Sequence, residues 1–430
     1  MIYLRILRTP SLALVWWSQL LSVVGDQLFS VAVVWLMVSR TGSNAGFVSA
    51  AGLVTGLTFG LLGGHFADVF DRRKTMMVVD GLRTAIVGAL PVLALIGQLR
   101  LWTVFAAVVL VEMLGTLFLP SLQGALNQLC KDELTTNGMN ALLESTQRLA
   151  RIIGPAMTGL LVALLSIQGF FWLDSLTFAI SAAILFTLKR EFTPAISVPL
   201  IPAPTILAPL IPPPSSAKTS GVNPFLTEVP NSFRLLWRNR SLFRAIVSLG
   251  LVNIAWSTIF LLGTPLLVER GFHHGISDYG LLSAAYGIGN VLSLLFTVGS
   301  RFRQNIVIMY IGQVVMGLGF LVLSTAPTLS VAGIGIIIAA FGSPMGDLLL
   351  LNIIQRDFPP KQIGKIYSLR NLVSNFGLAI GLLASVYLYK VLPISSVMLT
   401  ASVYIIFVGL IHTIERMWPS TRRYITRTLS

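Results

Sequence analysis

The 430-residue chain has one cysteine, four histidines and only 16 acidic residues, and each shortage removes a class of protein. With Cys130 alone, no intramolecular disulfide can form. His65, His273, His274 and His412 include no pair at helical metal-ligand spacing, so none is read as a metal site. No Walker A loop occurs, which excludes ATP hydrolysis by that route, and no cofactor is expected. Charged residues make up 11% of the chain, too few to clothe an ordinary soluble enzyme.

What the chain has instead is apolar length. Hydrophobic residues make up 55% of it and the mean hydropathy is +0.82. Its apolar runs recur at roughly 20 residues, the length a helix needs to cross a bilayer's hydrocarbon core. Twelve spans emerge, at about 12–38, 45–69, 74–96, 100–128, 139–166, 168–189, 241–268, 276–300, 304–325, 328–357, 361–388 and 391–415. The expected fold is therefore an all-α membrane protein of twelve transmembrane helices. Arg5 and Arg8 precede the first run without a small-residue cleavage site, so that run reads as an uncleaved span.

The organisation is a first half over 1–190, a linker over 191–240, a second half over 241–416 and a tail over 417–430. The linker holds nearly half of the 21 prolines. Ala195 to Pro214 is apolar and long enough to span, but seven prolines interrupt it. Each removes a backbone hydrogen bond that lipid cannot replace, so extended chain on the membrane surface is expected. Phe233 to Arg240 reads as a short basic amphipathic helix. The net charge of +14 is spread over helix ends rather than gathered in a stripe, which argues against nucleic acid. Most lysines and arginines fall on one side, leaving Arg40, Arg100, Arg270 and Lys390 on the other and Arg83, Arg148, Arg151 and Arg370 within spans. The positive-inside rule then places both termini in the cytoplasm.

The halves repeat each other. Pro120, Asn127 and Lys131-Asp132 recur as Pro344, Asn352 and Arg356-Asp357, and Arg72-Arg73-Lys74 has a weaker counterpart in Arg301-Phe302-Arg303. Between spans two and three, Gly64 and Asp68 stand four apart on one helical face, followed by the turn Asp71-Arg72-Arg73-Lys74. This G-x-x-x-D pattern with its basic turn resembles the span-two to span-three loop of major facilitator superfamily transporters, in the branch of the enterobactin exporter and the macrolide efflux proteins. Val69 departs from it, standing where relatives often carry arginine. The resemblance implies two pseudo-symmetric six-helix bundles and a bacterial inner membrane. It further implies an inner gate of Gly64, Asp68, Asp71, Arg72, Arg73, Asp80 and Arg83, facing the start of span eleven near Lys361 and Lys365. Gly154, Pro155 and Gly159 on span five resemble the G-P-x-x-G-G signature of exporter branches, with Thr158 replacing one glycine.

The spans also carry polar stripes. Gln19, Ser22, Asp26 and Ser30 share one face of span one. Asp26 lies roughly 20 Å along the helix from the expected cytoplasmic end. An intramembrane carboxylate costs at least ~2.5 kcal/mol, so it marks a pathway or is bonded to neighbouring backbone. Glu112 on span four and Arg148 on span five are at matching depth and can pair across helices; Glu144 and Arg148 also suit an i,i+4 pair. Such a pair is either a proton-coupling device or a permanent clamp. Asp26, Glu112 and Arg148 are thus the expected proton-coupling set. In the second half, Asn253, Trp256, Tyr286, Asn290, Asn371 and Asn375 are expected to line a cavity together with Gln19 and Ser22. Asp347 and Arg370 suggest a second gate pair. Mixed polar and aromatic walls suit an amphipathic organic molecule better than a small ion, although each residue alone can equally be packing hardware.

The expected function is a monomeric secondary transporter exporting an amphipathic small molecule, such as a drug, macrolide or siderophore, in exchange for protons. An importer or lysophospholipid flippase on the same fold is the alternative. A polytopic membrane enzyme is disfavoured because the outer loops are too short for a catalytic His/Asp cluster. A scaffold on an inactive transporter fold is disfavoured by the retained intramembrane charges.

Overall fold

The computed structural model describes residues 2–130, 132–161, 164–188, 237, 239–299 and 306–428. Within these, the side chains at 2, 61–69, 127, 148, 151–153, 155, 156, 158–160, 298, 299, 347, 348, 360, 361, 364 and 416–428 lie outside the description, as does nearly all of the 191–240 linker. Every regular element is helical: α1 Ile2–Arg8, α2 Pro10–Thr41, α3 Ala45–Val69, α4 Arg72–Leu95, α5 Leu101–Leu129, α6 Glu133–Leu161 and α7 Ile167–Thr187 precede the linker. The second half holds α8 Arg240–Gly271, α9 Ile276–Gly299, α10 Ile306–Ser324, α11 Leu329–Asp357, α12 Pro360–Val391 and α13 Ile394–Thr428.

The helix boundaries follow local chemistry. Pro10 opens α2, where its missing N–H is no loss, and separates the short α1 that the apolar pattern merges with the first span. Gly42 ends α2 at φ +58, a backbone conformation that costs an L side chain about 1–2 kcal/mol. Asp71 caps α4 by accepting from the Lys74 amide at 2.8 Å, and Asn239 caps α8 from the Leu242 amide at 3.2 Å. Asp132 caps α6, accepting from the Thr135 amide at 2.7 Å and its hydroxyl at 2.9 Å. Those bonds, the amide's first, hold the exposed Asp132 carboxyl below the usual carboxylate range. The folded value is the depressed one, so the cap's contribution is present above the unfolded value near 3.9 and is lost as pH falls through the folded one. Asp132→Ala should lower the thermal midpoint at pH 7, and the gap from wild type should narrow in a melting series taken below about pH 4.

Among the described residues, ten helical stretches are long and apolar enough to cross a membrane, and the first of them, Pro10–Gly60, contains α2 and the greater part of α3. Of the twelve long helices, α6 is not among these stretches. It carries Glu133, Glu144, Arg148 and Arg151, and it packs along α2 and α9 rather than standing alone in lipid.

The pairing of helices repeats. In the first half α2 packs with α6, α3 with α5, and α4 with α5 and α7; in the second, α8 packs with α12, α9 with α11, and α10 with α11 and α13. The same pattern advances by six helices, and Pro120 in α5 recurs as Pro344 in α11. Between halves, α3 meets α12 and α6 meets α9. The result is two six-helix bundles related by pseudo-symmetry.

The bundle has a basic end, where α1, Arg72, Arg73 and Arg240 stand, and an opposite end with the turns after α2, α4 and α8. At the opposite end one apolar core joins both halves, with Trp35, Val38 and Val48 packed among Leu262, Leu266 and Tyr279. At the basic end, among the described residues, each half has its own core: Ile6, Met76 and Leu126 in the first, Leu242, Met309 and Leu350 in the second.

Candidate functional site

Four buried or cavity-facing carboxylates and one arginine meet inside the first half. Arg83 on α4 lies within electrostatic reach of Asp26 on α2, Asp80 on its own helix, Glu112 on α5 and Asp174 on α7. Its guanidinium lies over the rings of Phe178 and Phe118, with 5.0 Å and 5.8 Å to the ring centroids. One nitrogen donates to the Val111 carbonyl at 3.3 Å, and Gly115 leaves space for the group. Asp80 is fully buried and accepts from Ser181 Oγ at 2.6 Å.

Asp26, Arg83 and Glu112 line a cavity of about 390 Å³, with Ser30 and Ser49 beside them and Leu261 and Leu382 reaching in from the second half. Gly52 and Gly56 on α3 give Glu112 its room. The cavity is therefore acidic on its first-half wall and bounded by both bundles. In low-dielectric surroundings such carboxylates interact more strongly than in water, so protonating one changes the stability of the whole group.

The expected gate residues split up. Asp71 is a helix cap. Arg72 donates to the Gly124 carbonyl at 2.7 Å, and the buried Arg73 donates to the Leu185 and Phe186 carbonyls at 2.7 and 2.8 Å. These last-turn carbonyls of α7 are the negative end of a helix dipole, so Arg73 ties α4 to α7 within the first half. Arg83 lies in the cavity wall with Glu112 rather than beside the basic turn. Gly64 and Asp68 stand in the last turns of α3, and their side chains lie outside the described residues, as do those of Arg148, Pro155, Gly159 and Asp347. Gly154 is buried where a Cβ would strike Gln27 of α2, so α6 approaches α2 closely there.

Gln19 and Ser22 are buried on α2. Gln19 joins Gln123, Asn140, Glu144 and Gln147 around a smaller cavity of about 130 Å³ nearer the basic end. In the second half, Asn253 Nδ2 donates to Ser374 Oγ at 2.5 Å, tying α8 to α12. Trp256 Nε1 donates to the Tyr286 hydroxyl at 2.9 Å, which donates to Ser343 Oγ at 3.2 Å. Phe260 lies 4.1 Å from the Tyr286 ring centroid and 5.3 Å from that of Trp256. Asn290 and Asn375 are half-buried. Arg370 donates to Asn371 Oδ1 at 2.7 Å and stands over the Tyr367 ring.

Next to this aromatic cluster, α8 widens into π-helical turns at Ser257–Gly263 and Leu267–Gly271. The shift from i→i+4 bonding leaves the Thr258 carbonyl able to accept from the Tyr389 hydroxyl at 3.0 Å. Among the described residues, no group of three His, Cys, Asp or Glu side chains is placed to hold a metal ion.

Asp174 and Phe260 are functional candidates that the sequence reading passed over. Asp174 carried the signal that singled out Asp26, a lone carboxylate inside an apolar span. Phe260 carried none that distinguishes it from the apolar residues around it.

Comparison with known proteins agrees with this architecture. The Major Facilitator Superfamily profile matches residues 15–382 and again 275–416. The chain is 25% identical to the uncharacterized MFS-type transporter YfiS of Bacillus subtilis, covering 95% of this chain and 94% of that one. It is 25% identical to the multidrug efflux pump Tap of Mycolicibacterium fortuitum, covering 74% of each. Macrolide efflux protein A of Streptococcus pyogenes is 22% identical, over 86% of this chain and 87% of its own. Among solved structures, the POT family transporter PepTSo superposes with a TM-score of 0.67 at 13% identity, over 96% of this chain and 98% of that one. A bacterial homologue of the human lysosomal transporter Spinster, inward-facing and unoccupied, gives 0.65 at 10% identity, over 95% and 96%.

Proposed function

The chain belongs to the Major Facilitator Superfamily and is a multi-pass secondary transporter rather than an enzyme, and from that premise we propose that it exports an amphipathic small molecule in exchange for protons. The observation that carries this reading is the acidic cavity at the meeting of the halves. Asp26 and Glu112 face it from the first half, with Arg83 as their counter-charge, and Leu261 and Leu382 close it from the second. A proton taken by Asp26 or Glu112 changes the charge beside Arg83, so cargo affinity and proton occupancy are coupled through one cluster. Arg148 on α6 completes the proposed proton-coupling set as the partner of Glu112. The tilted Trp256–Phe260–Tyr286 ring cluster, with the Tyr286 and Ser343 hydroxyls beside it, suits a cargo with a ring system and polar substituents.

Two considerations support the outward direction. The basic end is cytoplasmic by the positive-inside rule, which puts both termini in the cytoplasm. The relatives named above as efflux proteins span most of the chain. Alternating access follows from rocking of the halves about the shared core, with the plasma membrane of a bacterium as the setting. The protein works as a monomer, since both halves of the cavity come from one chain.

Uptake into everted vesicles tests the reading, with ethidium, erythromycin and a catecholate siderophore as probes. Wild type should accumulate at least one of them only with an acid-inside gradient. Glu112→Gln and Asp26→Asn should each cut that accumulation at least roughly tenfold, equivalent to ~1.4 kcal/mol of coupling, while leaving probe exchange without a gradient within about threefold. Accumulation that runs the other way would make the protein an importer, and accumulation unchanged in both variants would move the coupling elsewhere.

A further inference from the structure

Asp174 has no place in the cavity wall, yet it is fully buried. Its Oδ2 has no hydrogen-bond partner among the described residues, and its Oδ1 lies 3.5 Å from Thr177 Oγ1. That oxygen also fills the space where a Cβ at Gly25 would stand, so Asp174 sits directly against the backbone of the residue before Asp26. The charged groups facing it are Asp26 from α2 and Arg83 from α4, with Asp80 and Glu112 beyond them on the same arginine. A buried carboxylate oxygen without a partner is costly to keep, and within a membrane it marks a functional path.

Toward the opposite end, a second cavity of about 480 Å³ lies within the first half. Ser39, Arg40, Gly97, Ser166, Gln168 and Phe171 are among its lining residues. Phe171 stands three residues before Asp174 on α7, on the same helical face. Its ring meets that of Phe29 edge to face at 5.7 Å, and Phe29 lines the cavity that holds Asp26. The Phe29–Phe171 contact thus bridges the linings of the two cavities, one at the opposite end and one holding Asp26. Leu36 and Phe171 of its lining also belong to the apolar core that joins the halves at that end, so this cavity borders the core from the first-half side.

We propose that Asp174 and Asp26 form one proton-holding pair, loaded from the opposite end through the Ser39–Gln168 cavity by a route separate from the cargo path. The proposal rests on the proton-coupled reading and extends it. Protons that drive export arrive from the end at which the halves are sealed together, so a route inside the first half lets them enter without opening the cargo cavity. Displacement of the Phe29–Phe171 pair opens that route. A hydronium ion in the outer cavity gives its proton to the Asp174 carboxylate, leaving water. The Asp174 carboxylic acid then passes the proton to the Asp26 carboxylate and regains its own negative charge. Arg83 keeps its charge throughout and holds whichever carboxylate is ionised.

The test needs no cargo. Infrared spectra of the reconstituted protein are recorded during acidification and during exchange into D2O, using wild type and Asp174→Asn. A Cys130→Ala, Ser39→Cys variant is measured before and after labelling with a bulky maleimide. Wild type should show a protonated-carboxyl band that Asp174→Asn diminishes. The label should slow deuterium exchange of that band at least tenfold. A band that is the same in Asp174→Asn, or exchange indifferent to the label, would overturn the proposal. Should Asp174→Asn fail to fold, the labelled cysteine variant decides alone. The vesicle assay separates the two levels. Gradient-driven uptake lost in Glu112→Gln but kept in Asp174→Asn removes this proposal and leaves proton-coupled export standing. A wild type that accumulates no probe but shows the label-sensitive Asp174 band removes the export reading and keeps the proton pair.

Discussion

Arg83→Met is expected to cost about 3–5 kcal/mol of folding stability, because it strips the only described cation from a cluster of four carboxylates. The methionine keeps much of the packing against Phe118 and Phe178. What it loses is the counter-charge, together with the bond to the Val111 carbonyl. Removing it leaves the buried Asp80 and Asp174 uncompensated, which is why breaking such a group costs more than the group itself contributes. The thermal midpoint of the detergent-purified protein should fall sharply, and adding Asp80→Asn should recover part of the loss. Arg83→Lys should lie between, since an ammonium supplies charge but neither the planar fork nor the ring stacking. A wild-type midpoint in Arg83→Met would mean that the carboxylates do not depend on this arginine.

Much of the fold was legible because the membrane makes sequence rules strict. A span must satisfy its own backbone and stay apolar for about 20 residues, so α3, expected at 45–69, is found at Ala45–Val69. The rule weakens where a helix extends beyond its apolar run. Expected to start at 139, α6 begins at Glu133, because Asp132 caps it there and its first turns need no apolar face. At the chain's end, α13 runs to Thr428 past the apolar stretch, since a helix leaving the bilayer need not end there.

The site was legible in part. Asp26 and Glu112 were found from the cost of a charge in lipid, and they line one cavity. Arg83 was assigned by its nearness in sequence to the basic turn, while its long side chain reaches a different level of the bundle. Spacing along one helix cannot say how far an arginine reaches or which helix crosses it. The close approach of Asp174 to Gly25 was beyond sequence for the same reason, being a meeting of α7 with α2 set by packing.

Trp35→Ala should shift the balance of the two halves toward a form open at the opposite end. Trp35 is 7% exposed and stacks on Tyr279 of α9 at 5.8 Å, across the boundary between the halves. Nearby, the Arg270 side chain packs against Gly42, and Phe47 meets Tyr387 of α12. Truncating a buried tryptophan costs about 3–5 kcal/mol in total. Only contacts made across the boundary are lost on opening, so only their share moves the equilibrium. If that share is about 1.5–3 kcal/mol, the shift is roughly 10- to 100-fold. Spin labels on the exposed positions Gln98 and Leu392, in the loops of the two halves at this end, report it as a longer inter-label distance. Tyr279→Ala should give the same shift, and the double variant should add little, because both remove one contact. Unchanged distances in a folded Trp35→Ala protein would show that the seal lies elsewhere. Additive shifts would show that the two rings act on separate parts of it.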